Sequence, residues 1–416
     1  MSEVNRQNDC CIIIGASHAG VNAAFALRKE GWQGAIKVFD ADPTLPYHRP
    51  PLSKAYLTSD DGIDKNLLKA QISYQKSDID LYLGVSVNGI DANSQTIKID
   101  DGQTYSYSKL IIATGARPFI PPIEGIDSAH QLYPLRTAAD VNYIRVAMEN
   151  SPTKRVVIIG GGYIGLETAA SLKKLGASVT VLEREERILA RVTAPLMSTF
   201  FQQLHSDHGV DIFTSKDVSS IQTINQSNVV ICKDGSEYPA DIIVVGVGIR
   251  VNTELAEKAG IDIDNGIVVD GQTLTSAANI YAIGDCSYHH NPHYDRFIRL
   301  ESVQNAVDQA KVAAASICGK DINYDTLPWF WSDQYDVKLQ MVGLSTGYNK
   351  IVVRKEADSV HKFSVWYFEN ERLLSVDAVN HAKAYVIGTK LIKSGAVIDQ
   401  NKLADSSIDL QPDTLI

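Results

Sequence analysis

The sequence predicts an α/β protein built from two Rossmann-like units followed by a smaller α+β domain, and three observations carry that prediction. The chain has 416 residues, enough for two or three domains with sizeable cores. A strand, a glycine-rich turn and a helix start occur twice in the same order. From Pro328 onward the character changes to tryptophan and β-branched strands.

The apolar run 11–14 leads into Gly15-Ala16-Ser17-His18-Ala19-Gly20, and 156–159 leads into Gly160-Gly161-Gly162-Tyr163-Ile164-Gly165. This is the dinucleotide-binding pattern. Each turn has its acid about twenty residues on, where a carboxylate can accept from a ribose hydroxyl. Asp40 closes the strand 36–40 and Glu183 closes 179–183. Phosphates are drawn to backbone N–H groups at a helix N-terminus, where the macrodipole favours negative charge. The sequence therefore predicts two bound dinucleotides. Ser17 stands where the second turn has its middle glycine, which takes some room from a pyrophosphate and offers a hydroxyl in return. Glu183 would accept two hydrogen bonds from an adenosine ribose and repel a 2′-phosphate, which argues for NADH over NADPH; the adjacent Arg184 softens that preference.

Between the turns, the run 109–118 reads as an apolar strand that ends in a turn and contains Ala113-Thr114-Gly115, and Pro121 and Pro122 mark a connector. The run 241–248 reads as a buried strand stopped by Gly246 and Gly248, and the run 280–285 as a strand ending in Gly284-Asp285. An alanine-rich helix is predicted over 303–317, strands at 351–353 and 362–368, a helix near 382–393, and a loosely ordered polar tail beyond Asp405. With 49 acidic and 39 basic residues the formal charge is −10, which argues against a broad nucleic-acid or anionic-membrane surface. The first apolar run is only a strand long, too short for a signal core or a membrane span, so a cytoplasmic location is expected. Cys10, Cys11, Cys232, Cys286 and Cys318 lack redox-pair or zinc spacing, and neither a disulfide framework nor a metal site is expected. His48, His289, His290 and His293 read as loop histidines.

Ala113-Thr114-Gly115, the Ile283-Gly284-Asp285 ending and the two glycine turns resemble the two-dinucleotide flavoprotein reductases of the glutathione-reductase superfamily. Three longer stretches narrow this: Pro46-Tyr47-His48-Arg49-Pro50-Pro51-Leu52-Ser53-Lys54, Arg299-Leu300-Glu301-Ser302-Val303-Gln304-Asn305-Ala306, and Pro328-Trp329-Phe330-Trp331-Ser332-Asp333-Gln334. They resemble the oxygenase-coupled, NADH-dependent ferredoxin reductases of putidaredoxin-reductase type, over a span from about Cys11 to Gly395.

The resemblance implies a discontinuous FAD domain at 1–116 and 248–327, an NAD domain at 117–247 and a C-terminal α+β domain at 328–416. It places Gly15, Ser17, His18 and Ala19 at the flavin pyrophosphate and Asp40 at the ribose. Arg49 and Lys54 would run along the cofactor, Val87 would sit near its adenine, and Ala113, Thr114 and Gly115 beside its phosphates. Asp285 would meet the ribitol chain, with Glu301, Ser302, Val303 and Trp331 in the flavin environment. NADH would meet Gly160, Gly162, Tyr163, Ile164, Gly165, Glu183 and Gly248. Lys54 and Glu167 would form the catalytic ion pair where the hydride arrives, since a cation there stabilises charge on the reduced ring. Plainer roles stay open: a turn cap for Asp285, a surface salt bridge for Arg49, solvated helix-end charges for Lys54 and Glu167, and interface filling for Trp329 and Trp331.

Dithiol members of the superfamily place a cysteine pair against the flavin, and peroxidase-like members a single cysteine in the stretch matching 48–54. Neither is present here, so the resemblance implies that electrons leave the flavin directly, one at a time, to a [2Fe–2S] ferredoxin feeding a cytochrome P450 or a Rieske dioxygenase. Rubredoxin, a quinone or monodehydroascorbate as acceptor, or an NADH-sensing role toward a binding partner, are the alternatives. Ferredoxins of this class tend to be acidic, so a local cationic patch is expected, with Lys311 and Lys338 as candidates and ordinary surface lysines as the plain reading.

Overall fold

The computed structural model describes residues 9–356 and 361–416, which divide into two compact units. The first runs to His48 and takes up again at Ile63–Arg117 and Arg250–Phe330; the second comprises Arg49–Gly62, Pro118–Ile249 and Trp331–Ile416. The stretch 49–62, within the span expected for the first domain, thus belongs to the second unit.

The first unit is organised on a five-stranded parallel sheet in the order Ile280–Ala282, Lys109–Ile112, Cys10–Ile14, Ala35–Asp40, Ile79–Leu83. A parallel sheet is covered on both faces, which is why its strands read as unbroken apolar runs. Alternate residues point to opposite faces. Ile13 packs with alanines of the helices His18–Glu30 and Val303–Ile317, while Ile12 and Ile14 pack with Ile90, Ile97 and Ile99. Those last three come from the antiparallel strands Val87–Asp91 and Thr96–Ile99. His289 and His290 lie on the strand Ser287–Asn291 and not in a loop, with His289 buried.

The second unit repeats the plan with the order Asp211–Phe213, Ser178–Leu182, Arg155–Ile159, Ile242–Val245, Leu132–Tyr133, again parallel. Its helix Ala138–Asn150 starts in a capping box, Thr137 accepting from the Asp140 N–H while the Asp140 carboxylate accepts from the Thr137 N–H. An antiparallel sheet follows, ordered Trp329–Gln334, Val337–Gly343, Arg372–Val379, Phe363–Glu369, Lys350–Lys355. The helix Ala382–Ser394 lies close on it, since a β-carbon at Gly388 would stand 2.6 Å from the Val376 side chain.

The tail is better tied than its polarity suggested. The buried Arg354 guanidinium donates to the carbonyls of Leu403, Asp405 and Ile408, and Leu410 and Leu415 are buried. Among the described residues no helix is long and apolar enough to cross a membrane.

Candidate functional site: two glycine turns and a buried ion pair

The two glycine turns share one construction. Gly15 and Gly160 have φ of 107° and 111°, and a β-carbon on either would strike a backbone carbonyl, Ala113 O at 2.2 Å or Gly246 O at 2.4 Å. At Gly20 and Gly165 it would meet the carbonyl oxygens of Gly15 at 1.8 Å and Gly160 at 2.2 Å. These four glycines are demanded by the backbone itself. Gly162 is different, because a β-carbon there would meet nothing within 4 Å.

The acids are held alike. Asp40 accepts from the N–H groups of Ala16 and Asp42 at 2.5 and 2.8 Å, and Glu183 from those of Gly161 and Glu185 at 2.6 and 2.8 Å. Each carboxylate is fixed by two backbone donors and keeps lone pairs for a ligand. Neither helix that starts at these turns, His18–Glu30 or Tyr163–Lys174, is capped by the side chain of its N-cap residue. Open space at Gly162, oriented carboxylates and uncapped helix starts fit a pair of dinucleotides.

Around the first turn, Ala113-Thr114-Gly115 is braced by Asn252. The Thr114 hydroxyl donates to the Asn252 carbonyl at 2.8 Å, and the Asn252 amide returns a bond to the Thr114 carbonyl at 2.8 Å. Gly115 has φ 59°. Gly284, at φ 78°, gives its N–H to the buried Gln309 side chain at 2.7 Å, which fixes the turn carrying Asp285. His18 is buried beside the His48 ring, and Val87 opens its strand half-buried. Glu301 pairs with Arg299 at 2.7 Å, while Ser302 caps the helix of Val303 by accepting from Asn305 N–H.

In the second unit, Lys54 and Glu167 meet: Nζ lies 2.7 Å from Oε2, and the Glu167 side chain is wholly buried. The reading as solvated charges is thereby excluded. Glu167 Oε2 also accepts from the Ser53 hydroxyl and Oε1 from the Ser332 hydroxyl, both at 2.6 Å. Three donors thus fix the Glu167 carboxylate, and it fixes the position of the Lys54 Nζ in turn. Ser332 leads on through Gln334 to His205, whose imidazole burial pushes down to about 4. Arg49 donates to the Arg136 carbonyl at 2.7 Å. Tyr163 directs its hydroxyl at the Met341 sulfur, Ile164 is exposed, Gly248 has φ 118°, and Trp331 is half-buried.

Sequence reasoning missed Ser53, Ser332, Asn252 and Gln309. The two serines stand inside stretches it had singled out, next to residues it chose. Cys11 and Cys286 are buried, with thiol pKa values raised by loss of solvent, and among the described residues no disulfide forms and no three His, Cys, Asp or Glu side chains come together to hold a metal. Lys311 is paired with Asp308 at 2.8 Å, and Lys338 is an exposed residue of its strand.

Residues 9–310 match the pyridine nucleotide-disulphide oxidoreductase family, and 329–413 match the reductase C-terminal family. The chain is 40% identical to putidaredoxin reductase of Pseudomonas putida, covering 97% of this chain and 96% of that protein. It is 37% identical to a rubredoxin-NAD(+) reductase of Pseudomonas putida over 89% of this chain and 96% of the other. Its fold is similar to the crystal structure of the covalent putidaredoxin reductase–putidaredoxin complex, with TM-score 0.92, 40% identity and 97% of each chain covered. Matched along nearly its whole length in sequence and fold, the chain belongs to the pyridine nucleotide-disulphide oxidoreductase family and also carries a reductase C-terminal domain.

Proposed function

We propose that the chain is an NADH:ferredoxin oxidoreductase that passes electrons, one at a time, to a [2Fe–2S] ferredoxin serving a monooxygenase or dioxygenase. FAD belongs at the first glycine turn and NADH at the second. When bound, FAD supplies the change from two-electron to one-electron transfer. The chain's own residues bind and orient. Asp40 and Glu183 accept from the two adenosine riboses, the uncapped helix starts take the pyrophosphates, and Lys54, held in place by Glu167, stabilises the negative charge that comes with reduction.

One observation carries this reading: a buried Glu167 with three donors holds Lys54 in the very stretch, 48–54, that lacks a thiol. The pair serves charge stabilisation, and no sulfur relay is available to divert electrons. Likeness to putidaredoxin reductase supports a ferredoxin acceptor, and likeness to rubredoxin-NAD(+) reductase keeps rubredoxin as the second reading. Work in the cytoplasm is part of the proposal, in keeping with cysteines outside any disulfide.

The test is NADH-driven reduction of cytochrome c with added [2Fe–2S] ferredoxin or rubredoxin. Rapid turnover with ferredoxin and slow turnover with rubredoxin supports the proposal, and the reverse order replaces it. For docking, Lys338 is the stronger candidate, since Lys311 already answers Asp308. The Lys338→Glu variant should lose ferredoxin-dependent turnover at low salt while keeping ferricyanide reduction, and unchanged ferredoxin turnover would place the docking surface elsewhere.

A further inference from the structure

The strand end that carries Glu183 also carries two guanidinium groups that the discrimination between NADH and NADPH has to contend with. Arg184 follows Glu183 directly, and Arg191 stands in the loop that follows. An adenosine 2′-phosphate is bound by guanidinium groups, whose donors match its oxygens. Both are turned to another partner. Arg184 Nη2 lies 3.1 Å and Arg191 Nη2 3.3 Å from the same oxygen, Oε1 of Glu185. The Glu185 carboxyl is held below its ordinary range by these two arginines.

The backbone that sets this up is fixed. The Glu185 N–H binds the Glu183 carboxylate at 2.8 Å, the Glu185 carbonyl accepts from Ser215 N–H at 2.9 Å, and the Glu183 carbonyl from Lys216 N–H at 2.8 Å. Lys216 itself pairs with Asp234 at 2.5 Å. Arg187 is directed at the carbonyls of Thr193 and Ala190 and the Ser198 hydroxyl. The formal charges of Glu183, Arg184, Glu185 and Arg191 cancel, so a dianionic 2′-phosphate arriving here would have to part the arginines from Glu185 and would meet two carboxylates.

We propose that Glu185 is a second specificity-determining residue, which disfavours a 2′-phosphorylated nucleotide by occupying Arg184 and Arg191, while Glu183 selects for the free ribose hydroxyls. This rests on the reading that the second glycine turn binds the adenosine half of the nicotinamide nucleotide. Glu183 recognises the diol, and Glu185 keeps the neighbouring cations from recognising a phosphate. Because the Glu185 contact with Glu183 is made through the backbone N–H, Glu185→Gln frees the arginines and leaves the Glu183 anchor in place.

The test is calorimetric binding of 5′-ADP and 2′,5′-ADP to the FAD-loaded full chain at low ionic strength. Glu185→Gln should raise the affinity for 2′,5′-ADP relative to 5′-ADP by about three- to tenfold, since exposed pairs are individually weak but two are released together. Added salt should erase the gain, and Arg184→Ala with Arg191→Ala in the Glu185→Gln background should abolish it. Glu149→Gln, the same charge change at an exposed site of the same unit, should leave the ratio unmoved. A ratio within twofold of wild type in Glu185→Gln, or an equal rise in Glu149→Gln, overturns the proposal. Wild-type protein that binds neither nucleotide would overturn the nucleotide assignment itself, and with it this inference.

Discussion

The two glycine turns share one backbone frame, and their middle glycine position is occupied differently. Both have a first glycine at positive φ against a carbonyl, a last glycine pressed on the first, and an acid fixed by two backbone N–H groups. The middle position is Ser17 in one and Gly162 in the other. Ser17 sits in ordinary extended backbone, φ −93° and ψ −160°, which any residue adopts. Gly162 also has an ordinary φ, −79°, and open space where a side chain would go. The outer glycines therefore serve the fold, and the middle one leaves room that the protein itself does not use.

That division can be broken by substitution. Gly20→Val and Gly165→Val each force a side chain into backbone and should give the largest effect: insoluble or flavin-free protein, with destabilisation at or beyond the upper end of about 1–3 kcal/mol for overpacking. Thermal unfolding and flavin absorbance read it. Gly162→Ala should stay folded with a midpoint close to wild type while the NADH Michaelis constant rises about tenfold or more. Should Gly162→Ala unfold the protein instead, the middle glycine would be structural after all.

The acids sharpen the same comparison. Replacing Glu183 by Ala should lower kcat/KM for NADH by roughly tenfold to a hundredfold and narrow the gap to NADPH, because a charged acceptor and a phosphate repulsion vanish together. An unchanged NADH to NADPH ratio would show that the strand end does not meet the ribose. Lys54→Met should slow flavin reduction in rapid-mixing absorbance with FAD largely retained, since the ammonium acts on charge that appears only on reduction. A rate within twofold of wild type would remove Lys54 from the chemistry.

The smallest effect on turnover is expected of Ser332→Ala. It takes one donor from a fully buried carboxylate, which should cost about 1–3 kcal/mol of stability and slow hydride transfer less than Lys54→Met does. Wild-type stability would mean that Glu167 finds another donor.

The sequence showed most where the signal was local. The helix Val303–Ile317 and the two turns follow from spacing within a dozen residues, and the structure has that helix at the expected bounds. Lys54 and Glu167 came from resemblance, and their burial with two serines could not be read from spacing, because Ser53, Glu167 and Ser332 are drawn from three distant stretches of one unit. The tail looked loose because its composition is polar, whereas the donor that satisfies its carbonyls, Arg354, lies on a strand some fifty residues earlier. The pairing of Lys311 with Asp308 is an i, i+3 contact on a helix and was open to prediction from the sequence.

We propose FAD for the first turn and NADH for the second. Purified protein reconstituted with FAD and titrated anaerobically with NADH tests this most directly, read as flavin absorbance per chain. One tightly held, non-covalent FAD per chain, bleached by one equivalent of NADH, is the expected result. A chain that stays colourless after reconstitution, or a flavin that NADH leaves oxidised, would contradict it.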